Sequence, residues 1–208
     1  MNWSIGETSV LAIKAARGVG MPWGLAEEAG FALRWLSQNS APGVSALCRY
    51  LSFHKTALEE DIPPAVWPDS QSWHCPLHLG AAISDGVIDL PVTVPGVREP
   101  LLLLPFLATR ATDGWLVSLE MGPTRVMVAS DRFASNIADT NLLIDQASCR
   151  ITFKDGALPA SGRQTNSRIP TTVTECLAVL TRFAHHTYAP ATEESRLVGA
   201  GAGLNDND

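Results

Sequence analysis

The chain has no apolar run long enough to cross a bilayer. A helical span needs about 20 apolar residues, and the longest aliphatic run, Leu101–Leu104, stops at Pro105. Basic residues are few: 15 Lys and Arg against 21 Asp and Glu give a formal net charge of −6. They are scattered, whereas a duplex-binding surface depends on clustered cations. Neither nucleic acid nor a membrane is therefore an expected partner. The four cysteines (Cys48, Cys75, Cys149, Cys176) stand far apart with no CxxC pair, which favours buried thiols over a disulfide frame. The first residues lack a basic region followed by an apolar stretch, so no signal peptide is expected. These absences point to a cytoplasmic protein. Phosphate-loop and dinucleotide fingerprints are missing too: no strand precedes the glycines near residue 20, and no Lys-Ser/Thr follows them.

What is present suits a globular fold. The 208 residues are 46% hydrophobic and 17% charged, enough to bury roughly 70% of the unfolded chain's surface. A single domain over residues 1–208 is expected, helical over 1–55, irregular over 56–86 and antiparallel sheet over 87–156. Loop and helices follow over 157–198, then a Gly/Ala-rich tail over 199–208.

Ser4 and Glu7 form an S-x-x-E capping box that starts a helix running to Arg17. Pro22 opens a second helix to about Ser37. A third follows Pro42, with Val44, Leu47, Cys48 and Leu51 at helical spacing. A short helix after Pro76 interrupts the irregular stretch. Residues 87–94 have strand composition, with Pro91 confining them to an edge or bulge. Asp113-Gly114 signals a hairpin turn between a strand ending near Thr112 and one starting at Trp115. In the second strand Trp115, Val117, Leu119 and Met121 alternate with Ser118 and Glu120. Gly122-Pro123 turns the chain into Arg125–Ala129, and Cys149–Lys154 alternates in the same way. Thr172 and Glu175 form a second capping box before a helix to about His186, and Thr192 can cap a last short one. The fold class is α+β: N-terminal helices, a central antiparallel β meander and a C-terminal helix packed with the sheet.

Chemistry concentrates at the Gly-rich turn. On a wheel of 100° per residue, Glu28 falls on the border of the Leu25, Ala29, Ala32, Leu36 stripe, and Arg17 projects between Val10 and Ile13. Two readings follow. In one, Arg17 and Glu28 form a structural ion pair locking the helix hairpin. In the other, Gly18 and Gly20 leave amides open at a helix N-terminus for an anion, Arg17 clamps it, Trp23 flanks it, and Glu28 with a raised pKa acts as the catalytic acid or base.

A second candidate is Trp73-His74-Cys75-Pro76-Leu77-His78. His74 and His78 are potential substrate-binding residues. His74, Cys75 and His78 are a weak alternative metal set, since no second chelating pair exists to complete a zinc site; Cys75 as a nucleophile is weaker still. His185 and His186 suit a helix end, where an imidazolium is welcome. The tail carries Asn205, Asp206, Asn207 and Asp208, and Asp206 is counted as a substrate-binding candidate should the tail dock.

The run Arg17-Gly-x-Gly-x-x-Trp23-Gly-x-Ala-Glu27-Glu28-Ala-Gly and the terminal run from Ser195 to Asp208 resemble those of a bacterial family catalogued as a domain of unknown function. The resemblance extends over the chain and implies a bacterial, cytoplasmic protein; it assigns no role to any residue. Two readings of function result. The first is a protein that binds or transforms a small polar or anionic metabolite, with no cofactor indicated. The second is a non-catalytic assembly or accessory subunit that docks a protein partner through Trp67, Trp73 and Trp115. The oligomeric state stays open, a homodimer included.

Overall fold

The computed structural model describes residues 3–66, 68–69, 72–158 and 173–188. Its elements are α1 (Ile5–Gly18), α2 (Trp23–Gln38), α3 (Gly43–Glu59), α4 (Pro76–Ser84), β1 (Val92–Arg98), a 3-10 turn (Pro100–Leu103), α5 (Leu104–Arg110), β2 (Trp115–Met121), β3 (Thr124–Val128), β4 (Phe133–Ser135), a second 3-10 turn (Asp139–Leu142), β5 (Gln146–Asp155) and α6 (Thr174–His185). The class is α+β, as composition and period imply.

The first helix begins where its capping box dictates: Ser4 N–H donates to Glu7 Oε2 at 2.8 Å, and Glu7 N–H donates to Ser4 Oγ at 3.2 Å. Two donors at a helix start are thereby satisfied. Pro22 sits just before α2, and α3 runs through Glu59 with Val44, Leu47, Cys48 and Leu51 all buried. Helices α1 and α2 pack as a hairpin, α3 lies against α2, and α6 packs on α1 and α3. The alanines of α1 and α2 (Ala12, Ala15, Ala16, Ala26, Ala29, Ala32) are buried, and Ser9 Oγ–H donates to Gly30 O at 3.0 Å, so the two helices approach closely.

Five strands form one antiparallel sheet in the order β1-β5-β2-β3-β4. Strands β2, β3 and β4 are a meander, while β5 returns to fill the slot between β1 and β2. One face is core: Val94, Val97, Val117, Leu119, Met121, Val126, Val128, Phe133, Cys149 and Ile151 are buried. The opposite face carries a row of Thr93, Arg150, Glu120 and Arg125 in register, with Arg125 Nε 3.1 Å from Glu120 Oε1. This is the one-sided alternation expected of an antiparallel sheet.

Three local expectations are corrected. The strand expected at 87–94 is displaced to Val92–Arg98, because Val87 and Ile88 donate their amides to Ala82 O and so wrap the end of α4. No strand ends at Thr112; α5 occupies that place. Leu101–Leu104, Phe106 and Leu107 are buried, and a segment apolar all round shows no helical period to read. Ser118, on the polar side of β2, is buried as well, since its strand lies mid-sheet. The long loop before α4 is also less irregular than its composition suggests. Its His74 lies beside the β1 edge, with His74 N–H donating to Gly96 O at 3.0 Å and Arg98 N–H donating to His74 O at 3.2 Å. That pairing covers part of an edge otherwise left open. Thr172, Thr192 and the Gly/Ala tail lie outside the described residues.

Candidate ligand-binding site

The Gly-rich turn is built for contact between helices. A Cβ at Gly18 would fall 1.8 Å from Phe183 O on α6, so only glycine allows α6 to approach the end of α1. Gly20 takes φ +88°, a conformation costly for other residues. The amides expected to stay open for an anion are closed: Val19 N–H donates to Ala15 O, Gly20 N–H to Arg17 O and Met21 N–H to Ala16 O. Gly18 and Gly20 therefore position helices rather than cradle an anion through these amides.

Arg17 and Glu28 do not pair. Arg17 Nη1 donates to Met21 O, and its guanidinium carbon lies 4.8 Å from the centroid of the Trp23 ring. Glu28 is half-buried on α2. Its carboxyl is held above the ordinary range by burial first and then by the negative charges of Asp85 and Glu27. The direction of that shift is the one read from the helix wheel, but the charges around Glu28 are acidic. The turn directs Arg17 to the start of α2, and Glu28 lies more than a turn further on. The catalytic role expected of Glu28 rested on a shared site with Arg17, and the geometry does not supply one.

Arg17 and Trp23 instead line a solvent-open cleft of about 470 Å³ with Ile13, Lys14, His186, Thr187 and Tyr188. Lys14 is three residues before Arg17 on α1, which puts both on one helix face. Lys14 Nζ donates to Tyr188 Oη at 3.2 Å and lies 5.2 Å from that ring's centroid. His186 Nδ1 is 3.2 Å from Gly18 O; a carbonyl only accepts, so Nδ1–H is the donor of this bond. Trp23 and Tyr188 are 64% and 54% exposed. Among the described residues neither Lys14 nor Arg17 has an acidic partner. The start of α2 has no side-chain cap, so the positive end of that helix adjoins the same space. The sequence singles out Arg17 and Trp23, while the structure adds Lys14, His186 and Tyr188 as their neighbours. The i, i+3 spacing of Lys14 and Arg17 was the available signal; the α1–α6 contact spans more than 160 residues and has no local signature.

His74 and His78 line a separate cavity of about 310 Å³ with Cys75, Leu79, Ala82, Val87 and Ile88. Cys75 caps α4: its Sγ accepts from His78 N–H at 3.4 Å and from Tyr50 Oη–H at 2.8 Å. Burial pushes the Cys75 thiol up and holds the His74 imidazole below its ordinary value. A buried thiol kept protonated is a poor nucleophile. His74, Cys75 and His78 form no group able to hold a metal ion, nor does any other set among the described residues. Of the three tryptophans expected at a protein interface, Trp73 is buried, Trp115 is half exposed and Trp67 lies outside the described residues, as does Asp206.

One feature had no sequence signal. Glu99 is buried at 2% exposure with φ +41° and ψ +61°, a left-handed conformation rare for a side-chain-bearing residue. Arg49 Nε stands 2.7 Å from Glu99 Oε1, and Arg98 Nη1 2.7 Å from Asp145 Oδ2. Burial raises the Glu99 carboxyl to about 7, against the pull of Arg49. This cluster ties α3 to β1 and to the start of β5.

Residues 3–71 match the model of a family described as a protein of unknown function (DUF3726). The matched stretch spans α1, α2 and α3 and contains Lys14, Arg17 and Trp23; His186, Tyr188 and the terminal Gly/Ala run lie beyond it. No curated protein and no solved structure matches the chain.

Proposed function

We propose that the cleft between α1, α6 and the start of α2 binds a small anionic metabolite. Lys14 and Arg17 supply the charge, and the Trp23 and Tyr188 rings the walls. The observation that carries this reading is the pair of cations without acidic partners among the described residues, beside two exposed aromatic rings in one open cleft. An exposed cation is hydrated and cheap to keep, but two at 4.5 Å of helix rise repel each other modestly, and an anion between them relieves that repulsion. The cleft's volume falls within the range of small-molecule sites, and apolar walls with a few convergent polar groups are the usual composition of such sites. The cytoplasm is the proposed compartment: the four cysteines are free thiols, as a reducing environment keeps them.

The test is a thermal-shift panel of carboxylates and phosphate monoesters, each beside a neutral analogue, on the parent and on Lys14→Met. A ligand at 100 times its dissociation constant stabilises by about 2.7 kcal/mol. Anions should raise the melting temperature of the parent and lose most of that shift in Lys14→Met. Shifts that are equal for neutral analogues, or equal in the variant, contradict the proposal.

A further inference from the structure

The anion cleft has a neighbour. A second cavity of about 410 Å³ runs along the same two helices, lined by apolar Trp3, Val10, Leu11 and Ala184, by Gly6 and Tyr188, and by polar Glu7, Lys14, Thr181 and His185. Lys14 and Tyr188 border both spaces. Gly6, Val10 and Lys14 follow one another at four-residue steps on α1, so one face of that helix floors the cavity, and Arg17 continues the line. From Gly6 to Arg17 the groove is about 16 Å long at 1.5 Å per residue. Its two ends differ in chemistry: Lys14, Arg17 and His186 gather at one, Trp3, Val10, Leu11 and Ala184 at the other. Val10 is 52% exposed, an apolar side chain of this floor left open to solvent.

We infer that the ligand is amphiphilic, with an anionic head between Lys14 and Arg17 and an apolar body lying past Tyr188 over Val10 and Leu11. This rests on the anion-binding reading of the cleft and adds the class of ligand. Orientation follows from charge. Glu7 stands at the far end, its carboxylate accepting from Ser4 N–H and Ser4 Oγ–H at 2.8 Å each, and these bonds hold its pKa below the ordinary carboxylate range. A fixed negative charge there repels an anionic head and leaves the apolar end for the tail. Tyr188 joins the two parts: its ring meets the tail, and its hydroxyl accepts from Lys14 beside the head.

The experiment is a calorimetric titration of two matched series, n-alkyl carboxylates and n-alkyl phosphates of two to eight carbons, with inorganic phosphate and acetate as head-only probes. The protein is the full chain, as the parent and as Lys14→Met and Val10→Gln. Burying a methylene is worth about fourfold in affinity. In the parent, affinity should rise about two- to fourfold per added carbon in at least one series. Val10→Gln should flatten that slope while leaving the affinity of the two-carbon member within about twofold, which also shows that the variant is folded. Lys14→Met should lower every member of the series alike. If the head-only and two-carbon probes bind in a Lys14-dependent way and chain length has no effect, the amphiphile inference is wrong and the anion cleft stands. A slope that survives Val10→Gln unchanged overturns the inference in the same manner, placing the tail elsewhere. If no member of either series binds, the cleft reading fails and takes the inference with it.

Discussion

The guanidinium of Arg17 stacks 4.8 Å from the ring centroid of Trp23, so the last turn of α1 and the first residue of α2 present a cation and an aromatic face as one surface. The bond from Arg17 to Met21 O holds this geometry across the turn. A guanidinium over an indole keeps its remaining N–H groups in plane and available, and the stacking itself contributes about 0.5–1 kcal/mol at an exposed site. Arg17 is therefore held in one geometry, and on the proposed reading this reduces the ordering cost of binding an anion.

Stability should respond to the three glycines of this region with different signs. Gly18→Ala forces a methyl group against a backbone carbonyl of α6 and should cost on the order of 3 kcal/mol. Gly20→Ala meets only Leu58 Cδ1, at an ordinary 3.7 Å, but must hold φ +88°, costing about 1 kcal/mol. Gly24, in the first turn of α2, has nothing within 4 Å of an added Cβ, so Gly24→Ala should gain up to about 1 kcal/mol. Urea denaturation of the three variants checks the order. Equal losses at positions 18 and 24 contradict the α1–α6 contact.

The pH dependence of folding should carry a signature of Glu99. Its carboxyl is raised from an ordinary 4.5 to about 7, so the folded chain binds more protons than the unfolded one between those values. The group's favourable contribution is complete below about pH 4.5 and is lost as pH rises to about 7. The unfolding free energy of the parent minus that of Glu99→Gln should therefore fall across this window by on the order of 3 kcal/mol. Outside the window it should be flat. A difference that rises with pH, or none, shows that Arg49 outweighs burial.

Thiol labelling separates the cysteines. Cys48, Cys75 and Cys149 are buried, and Cys176 is partly accessible. Burial pushes the Cys48 and Cys149 thiols up to about 12 and raises that of Cys75 as well. A maleimide at neutral pH should modify at most Cys176 in the native protein and all four in denaturant. Rapid native labelling of Cys75 reverses this order and restores that residue as a candidate nucleophile.

How much of this was legible in the residues depends on range. Ser4–Glu7, Pro22, Pro42, Pro76 and Gly122-Pro123 each fix a local event, and helices or turns stand where they point. The segment Leu101–Leu107 misled because a helix buried on every side has no polar face to betray its period. Arg17 and Glu28 are both half-buried on their helices. The wheel of each helix says nothing of the rotation between helices, so their meeting was not readable. Lys14 and Tyr188 lie 174 residues apart; only the docking of α6 on α1 brings them together. The strained backbone of Glu99 has no sequence mark, since a glutamate before a proline is ordinarily extended.

The central claim is that Lys14 and Arg17 form an anion site, and calorimetric titration of inorganic phosphate and acetate into the parent, Lys14→Met and Arg17→Gln tests it most directly. A charge-assisted hydrogen bond is worth about 1.5–3 kcal/mol, so each variant should bind the anion preferred by the parent about ten- to a hundredfold more weakly, with a melting temperature close to the parent's for Lys14→Met. Parent affinity retained in both variants, or no binding of either anion by the parent, contradicts the claim.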